Sequence, residues 1–271
     1  MHIEGIVLHK TLYKEKDLIA HLLLRSGDTL TVYFYGGKGG GKKLKGSIVE
    51  MGFMLGVYLQ KATRKLESQI QVAKEYELKW HPKYIRENYQ AFCLASFYLE
   101  LIAKISSEAH IDDVHSINNE GLFKVLSNAL FYLDEAVGKK SFDLHQHLFI
   151  FFAKIIIELG INPDTKNCLF CHKEFRPSDL CLFDYTEGGF SCMECSSQKD
   201  EFLSENKSLL YEHQSAQELR QKLDQAYFTP YKEYETIQNL TQGLTIAEFN
   251  YLNYQFGFKE AGYKTWKSLS H

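Results

Sequence analysis

Short apolar runs alternate with turn or charged segments through the first eighty residues. In residues 30–35, β-branched and aromatic residues dominate, which is typical of a pleated, half-buried strand. Gly27 and Asp28 stand between two such runs and favour a tight hairpin. Five short strands with no helical pattern between them predict a small β-barrel of the OB or SH3-like kind. The predicted strands cover residues 3–8, 18–24, 29–35, 48–59 and 68–78.

The period of the apolar positions changes after about Trp80. Seven residues then follow the spacing of one helical face: Leu122, Val125, Leu126, Ala129, Leu130, Leu133 and Val137. Residues 142–159 are apolar nearly all round, which predicts a buried central helix. Gly160 and Pro163 follow directly and are expected to end it.

A further helix is predicted near the end of the sequence. Thr245 and Glu248 have the spacing of a capping box, and the helix would run from there toward Gly257. Its apolar residues are expected to cover the central helix. The pattern as a whole predicts an α+β multidomain protein with an OB-like barrel and a helical domain interrupted by a cysteine-bearing finger. The predicted segments are the barrel at 1–80, helical parts at 81–163 and 205–271, and the finger at 164–204.

Composition narrows the class of protein. Hydrophobic residues make up 45% and charged residues 24% of the 271 positions, as in ordinary globular proteins. The most apolar stretch, residues 148–159, contains Lys154 and Glu158 and is too short to span a bilayer. No secretory signal is visible, so we expect a soluble cytoplasmic protein. In a reducing compartment the six cysteines are expected to be metal ligands or buried thiols rather than disulfides.

Four cysteines form two C-x-x-C pairs separated by twenty residues: Cys168, Cys171, Cys192 and Cys195. This spacing predicts one tetrahedral Zn²⁺ site, and four thiolates leave no open position for catalysis, so the zinc is expected to be structural. A decayed metal site and redox use are the alternatives. His172 adjoins a predicted ligand and is a weaker candidate. Cys93 and Cys181 are expected to be small buried residues.

Positive charge is concentrated in the predicted barrel. The whole chain has a net charge of −3, but residues 36–66 hold seven lysines and arginines against Glu50 alone. Such a local field attracts polyanions. The seven are candidates for contact with a nucleic-acid backbone: Lys38, Lys42, Lys43, Lys45, Lys61, Arg64 and Lys65. The helical half is net acidic and is the better candidate for protein contacts.

The glycine-lysine segment that begins at Gly36 nearly matches a P-loop. Lys43 stands where a P-loop needs Ser or Thr for Mg²⁺, and no α/β alternation surrounds it, which disfavours nucleotide hydrolysis. A solvated hairpin and a basic loop that grips phosphates both remain open. Tyr33 and Tyr35 are candidates for stacking on bases, and equally for ordinary sheet positions.

The order of basic barrel, helices and four-cysteine finger resembles the RecO family of DNA repair and recombination mediators. Residues 5–8, the run Tyr13-x-Glu15-x-Asp17, Gly27, Tyr35 and the basic glycine segment are similar to the family's opening barrel. Residues 159–163 before the first cysteine pair are similar to its entry into the finger. Phe183, Gly188 and Gly189 before the second pair are similar to its exit. Gly52 stands where many relatives have proline.

The resemblance implies a function beyond what composition indicates. RecO-like proteins bind single- and double-stranded DNA, anneal complementary strands, and with RecR help RecA displace single-strand-binding protein. It implies a non-enzymatic role in the bacterial cytoplasm, associated with the nucleoid. The alternative, from another class, is a zinc-ribbon interaction module that acts in transcription or assembly.

Overall fold

A computed structural model describes residues 1–38, 48–60, 70–108, 120–197, 210–211, 213–259 and 262–269. The chain forms two compact units. Unit 1 comprises Met1–Phe142 together with Tyr263–His271, and unit 2 comprises Asp143–Gly262. Among the described residues, no helix combines the length and apolarity needed to cross a bilayer.

Unit 1 begins with a closed five-stranded barrel. Its strands are β1 (His2–Tyr13), β2 (Asp17–Leu24), β3 (Thr29–Phe34), β4 (Met54–Leu59) and β5 (Ile70–Trp80). They pair in the order β1-β2-β3-β5-β4, and β4 returns to β1. The β3–β5 pair is parallel and the others are antiparallel. This confirms the predicted OB-like barrel.

Alternation along the strands builds the barrel core. Val32 and Phe34 on β3 are fully buried, whereas Tyr33 between them lies on the outer face. Leu18, Ala20 and Leu22 alternate inward on β2 in the same way. A closed barrel leaves no free sheet edge, and the inward side chains therefore fill its interior.

Strand bounds differ most from the sequence prediction in β1 and β4. β1 extends to Tyr13, beyond the predicted end at residue 8. β4 begins at Met54, although the apolar run predicted a strand from residue 48. A turn intervenes at Gly52, whose φ of +78° is unsuited to a strand. The Gly52 N–H donates to the Val7 carbonyl at 2.9 Å, which fixes this turn against β1.

Two helices, α1 (Tyr89–Glu108) and α2 (Glu120–Lys139), complete the main part of unit 1. The Asp134 carboxylate on α2 accepts three backbone N–H groups, from Lys83 at 3.0 Å, Tyr84 at 2.6 Å and Ile85 at 2.9 Å. These bonds satisfy donors of the segment between the barrel and α1, which includes the short 3₁₀ helix Ile85–Glu87.

Unit 2 is built on α3 (Leu144–Glu158), whose first turn is capped by the Asp143 side chain, accepting the Gln146 N–H at 2.8 Å. α3 packs against α5 (His213–Phe228) and α6 (Gln242–Gln255). The α3–α6 pairing is the cover that the apolar pattern predicted.

The start of α6 was predicted wrongly. Thr245 was expected to open the helix, but α6 begins at Gln242 and Thr241 is its N-cap. Thr245 is buried inside the helix, and its hydroxyl donates to the Gln242 carbonyl at 2.9 Å. Glu248 is fully buried, so it does not complete a capping box. Thr241 satisfies the free N–H groups one turn earlier, which makes a second cap unnecessary.

The finger lies between α3 and α5. β6 (Cys181–Asp184), β7 (Gly189–Cys192) and β8 (Leu210–Tyr211) form an antiparallel sheet in the order β7-β6-β8. α4 (Met193–Ser197) follows β7 directly. Gly188, with φ of +70°, closes the β6–β7 turn.

Candidate metal centre and nucleic-acid face

The four cysteines of the paired C-x-x-C motifs converge in the finger. The Sγ atoms of Cys168, Cys171, Cys192 and Cys195 all lie within 4.8 Å of one another. The Cys171 and Cys192 sulfurs are 3.8 Å apart. A tetrahedral zinc with Zn–S bonds of about 2.3 Å places its sulfurs about 3.8 Å apart. The cluster is therefore a metal-binding arrangement whose size fits such an ion.

Backbone hydrogen bonds shape the first cysteine pair into a tight turn. The His172 N–H donates to the Cys168 carbonyl at 2.9 Å, and His172 itself has a φ of +56°. The Cys168 N–H donates to the Lys173 carbonyl at 2.9 Å. Across the turn, the Cys192 N–H donates to the Cys168 sulfur at 3.3 Å and joins the two pairs. The turn therefore brings the sulfurs together through the backbone.

The two cysteines outside the C-x-x-C pairs are buried thiols, as the sequence predicted. Cys93 on α1 and Cys181 on β6 are buried and outside the cluster. Burial raises the pKa of Cys181 to about 11, which keeps it a neutral thiol. His172 is not a member of the sulfur cluster either. All six cysteines are free of disulfides.

The thiols of the cluster differ in how readily they ionise. Burial disfavours the Cys168 thiolate, but N–H donors from Cys171, Cys192 and Phe170 outweigh it and lower its pKa to about 6. The side-chain hydrogen bond between Cys195 and Cys192, followed by burial, raises the pKa of Cys195 to about 12. Four neighbouring thiolates thus need a cation, because like charges at this distance repel strongly. The donor set fits a soft or borderline metal ion such as Zn²⁺.

Arg220 on α5 ties the finger to the helices of unit 2. Its guanidinium donates to the Thr165 carbonyl at 3.0 Å and to the Arg176 carbonyl at 2.9 Å. It also lies 4.7 Å from the centre of the Phe175 ring. Sequence reasoning missed Arg220, since a single arginine on a polar helix carries no signal of a partner far away in the chain.

Of the predicted basic residues, Lys38 lies within the described chain. Its side chain is exposed, and its backbone N–H donates to the Lys16 carbonyl at 3.0 Å. This bond joins the turn after β3 to the turn between β1 and β2. The remaining six candidates, Lys42, Lys43, Lys45, Lys61, Arg64 and Lys65, lie outside the described residues.

The described flanks of the two basic segments lie toward opposite ends of β3. Residues 39–47 continue from Lys38, and residues 61–69 connect Gln60 to Ile70. Ile70 pairs with Thr31 on β3, and the Gln60 N–H donates to the Val72 carbonyl at 2.9 Å. The other end of β3, which precedes Lys38, pairs with the start of β2 through Phe34 and Leu18. In OB folds, the outer face of β2 and β3 and the β1–β2 and β4–β5 loops bind oligonucleotides.

Three tyrosine rings and one carboxylate occupy that outer face. Tyr33 meets Tyr13 edge-on with ring centres 5.6 Å apart, and meets Tyr35 edge-on at 4.6 Å. The Tyr33 hydroxyl donates to the Asp17 carboxylate, which also accepts the Gly36 N–H at 2.8 Å. The sequence singled out Tyr33 and Tyr35, and the Tyr13-x-Glu15-x-Asp17 run was the available signal for the other two.

Comparisons with known proteins agree with this architecture. Residues 86–219 match the family model described as recombination protein O C terminal. DNA repair protein RecO from Bacillus cytotoxicus is 27% identical over 198 residues, covering 72% of this chain and 71% of the relative. The same protein from Bacillus pumilus is 27% identical over 195 residues, covering 72% and 68%. That from Caldanaerobacter subterraneus subsp. tengcongensis is 25% identical over 207 residues, covering 76% of each chain.

Fold and site together define an OB-barrel protein whose helical part carries a four-cysteine metal-binding cluster. Within that class, the chain is similar to the RecO family: residues 86–219 match its C-terminal model, and the relatives named DNA repair protein RecO cover about 70% of the chain.

Proposed function

We propose that this chain is a non-enzymatic DNA-binding recombination mediator of the bacterial cytoplasm and nucleoid. It binds single- and double-stranded DNA and anneals complementary strands. With RecR it assists the loading of RecA onto DNA covered by single-strand-binding protein. The observation that carries the proposal is the OB-type barrel, with the flank of one basic segment toward each end of its β2–β3 face.

Annealing of this kind needs no reactive group on the protein. Two complementary strands repel each other through their phosphates, and lysines that neutralise those phosphates release counterions and let the strands approach. The free energy of pairing comes from the DNA itself. The protein therefore contributes positive charge and the positioning of the strands, and it needs neither a nucleophile nor a general base.

Glu50 does little to neutralise the basic residues near it in sequence, because its carboxylate is paired with other cations. It is the one acidic residue among residues 36–66. Its carboxylate is 2.6 Å from the Lys10 ammonium and 4.0 Å from the Arg86 guanidinium, both outside that segment. Since the Glu50 carboxylate already has these partners, it offsets less of the positive charge that residues 36–66 carry.

We propose further that the four-cysteine cluster holds one structural Zn²⁺. Cys168, Cys171, Cys192 and Cys195 would fill its tetrahedral coordination, and such an ion supplies folding free energy rather than a bound nucleophile. The finger would then serve as a rigid element of unit 2.

The DNA-binding proposal is tested by a salt titration combined with an annealing assay. If Lys38, Lys42, Lys43 and Lys45 each contact a phosphate of single-stranded DNA, the slope of log affinity against log salt contains roughly −0.7 per contact, about −2.8 in all. Changing all four to alanine is expected to flatten the slope by that amount, to weaken all sequences alike and to slow annealing. The melting temperature should barely change.

A control variant with the same change in charge separates this site from general electrostatics. Lys83, Lys124, Lys139 and Lys232 are exposed lysines outside the barrel, and their replacement by alanine should leave slope and annealing nearly intact. An equal loss in both variants would contradict a site on the barrel. A folded wild-type protein that neither binds nor anneals DNA would instead favour the zinc-ribbon interaction module.

A further inference from the structure

We propose that Tyr13, Tyr33 and Tyr35, the tyrosine face, form a stacking platform for unpaired bases, so that the barrel prefers single-stranded nucleic acid to duplex. The inference rests on the proposed DNA-binding function and specifies the form of ligand that the barrel takes. Three observations carry it: exposed rings in mutual contact, a carboxylate that fixes the central ring, and lysines at the rim of the face.

The rings project from the barrel without an evident role in its core. Tyr35 is 63% exposed and Tyr13 is 43% exposed. Their inward neighbours Val32 and Phe34 are fully buried and already fill the interior. Tyr33 meets each of the other two rings edge-on, with interplanar angles of 75° and 72°, and the exposed fractions of Tyr13 and Tyr35 show that part of their ring surface is open to solvent. A flat base can stack on such a face whatever its identity.

Asp17 holds the central ring in place before any ligand arrives. Its carboxylate accepts the Tyr33 hydroxyl and the Gly36 N–H, so one side chain fixes both the ring and the turn after β3. The Tyr33 hydroxyl and the Gly36 N–H lower the pKa of Asp17, which is therefore ionised at neutral pH. A ring that is already ordered loses little conformational entropy on binding.

Charge at the rim suits the phosphates that accompany stacked bases. Lys14, Lys16 and Lys38 are exposed beside the rings, and the Lys14 ammonium lies 5.3 Å from the centre of the Tyr13 ring. Glu15 is the exposed acidic residue in the same turn. In duplex DNA the base faces are already stacked on one another, so a duplex retains the phosphate contacts but loses the stacking. This difference favours single strands.

The test compares Tyr35→Ala and Tyr35→Phe with Tyr89→Ala as a matched control. Tyr89 is 72% exposed at the start of α1, outside the barrel. Affinities are measured for an oligothymidylate and for a blunt duplex across a salt series. Tyr35→Ala is expected to weaken oligothymidylate binding by about tenfold with an unchanged salt slope, and to alter duplex binding by less than about twofold. Tyr35→Phe and Tyr89→Ala should match the wild type.

Each other outcome overturns a defined part of the argument. If the wild type binds the oligothymidylate and Tyr35→Ala binds equally well, the tyrosine face is not a stacking platform, while the proposed DNA binding stands. If Tyr35→Ala flattens the salt slope or weakens duplex equally, its effect runs through phosphates and stacking is refuted. If the wild type binds neither probe, the proposed function itself fails. Should Tyr35→Ala melt early, Tyr13→Ala is measured in the same way.

Discussion

Glu248 lies in α6 with its side chain 1% exposed, and neither carboxyl oxygen has a hydrogen-bond partner among the described residues. Burial raises the pKa of Glu248 well above its ordinary value, because a charged carboxylate without water or a partner is strongly disfavoured. Glu248 therefore enters the folded core as a neutral acid. Folding at neutral pH requires it to take up a proton.

This protonation makes stability depend on pH. Above the unfolded pKa of about 4.3, the unfolded state loses its proton first, so the unfolding free energy falls by about 1.4 kcal/mol per pH unit until the folded pKa is reached. Glu248→Gln removes this dependence. We expect the variant to gain stability over the wild type as pH rises from about 5 to about 8, measured by denaturant unfolding at each pH. A parallel pH dependence in both proteins would contradict an uncharged Glu248.

Glu248 also shows where sequence reasoning fails at this scale. Its position three residues after Thr245 is that of a capping box, and the pattern alone does not reveal that Thr241 caps the helix one turn earlier. The hydrogen bond from Tyr33 to Asp17 was likewise hidden, because strand register decides which side chains become neighbours.

At the scale of elements, the finger depends on contacts between its two C-x-x-C pairs and on contacts from α5. The sheet of β6, β7 and β8 has strands of four, four and two residues, and Arg220 supplies hydrogen bonds from α5 to the backbone of the finger. A metal ion in the sulfur cluster would join the Cys168 turn to the end of β7. Such an ion would stabilise an element too small to fold on packing alone.

Removal of one ligand tests this dependence. Cys168→Ser is expected to reduce bound zinc from about one equivalent to well under half, and to lower the melting temperature, since metal binding and folding are coupled. Cys181→Ala is the matched control, because Cys181 is buried in the same finger but lies outside the cluster. Metal analysis of the pure wild type, without chelator exposure, checks the claim. Well under half an equivalent of zinc there would refute it.

Local patterns predicted most of the elements, and their limits have physical causes. Strand alternation located all five barrel strands, and all-round apolarity located α3. The order of the strands in the barrel could not be predicted from local patterns, because the parallel β3–β5 pair joins segments far apart in sequence. The apolar residues before Met54 resembled a strand, but the positive φ at Gly52 turns the chain there.

At the scale of the molecule, unit 1 is assembled from two separated parts of the chain. Residues 263–269 return to α1 after the whole of unit 2. The Glu100 carboxylate on α1 accepts the N–H groups of Lys264 at 2.9 Å and Thr265 at 3.0 Å, and also the Thr265 hydroxyl. Trp266 packs against the Phe97 ring, with centres 5.1 Å apart.

Glu100 is therefore expected to fasten this returning segment. Glu100→Ala should cost about 1–2 kcal/mol, as befits hydrogen bonds to a charged acceptor at a partly exposed site. Hydrogen exchange should accelerate in α1 and in residues 263–269, and remain unchanged in α6. Faster exchange spread evenly over both units would contradict a local role.

The segment boundaries predicted from the sequence, at 80, 163 and 204, remain a prediction. The two units group α1 and α2 with the barrel and α3 with the finger, but packing does not show which segments fold independently. Apolar periodicity identifies helices, whereas their grouping depends on contacts between distant parts of the chain. That information is absent from any local pattern.

In the sequence, unit 2 is inserted between the two parts of unit 1, and this order has a consequence for synthesis on the ribosome. The barrel strands emerge first, yet the residues that cover α1 around Tyr263 and Trp266 emerge only after all of unit 2. The contacts of Tyr263 and Trp266 with Phe97 on α1 can therefore form only after translation has passed Trp266. Unit 2 can fold during that interval, so synthesis of unit 1 starts before that of unit 2 but its folding can be completed only afterwards.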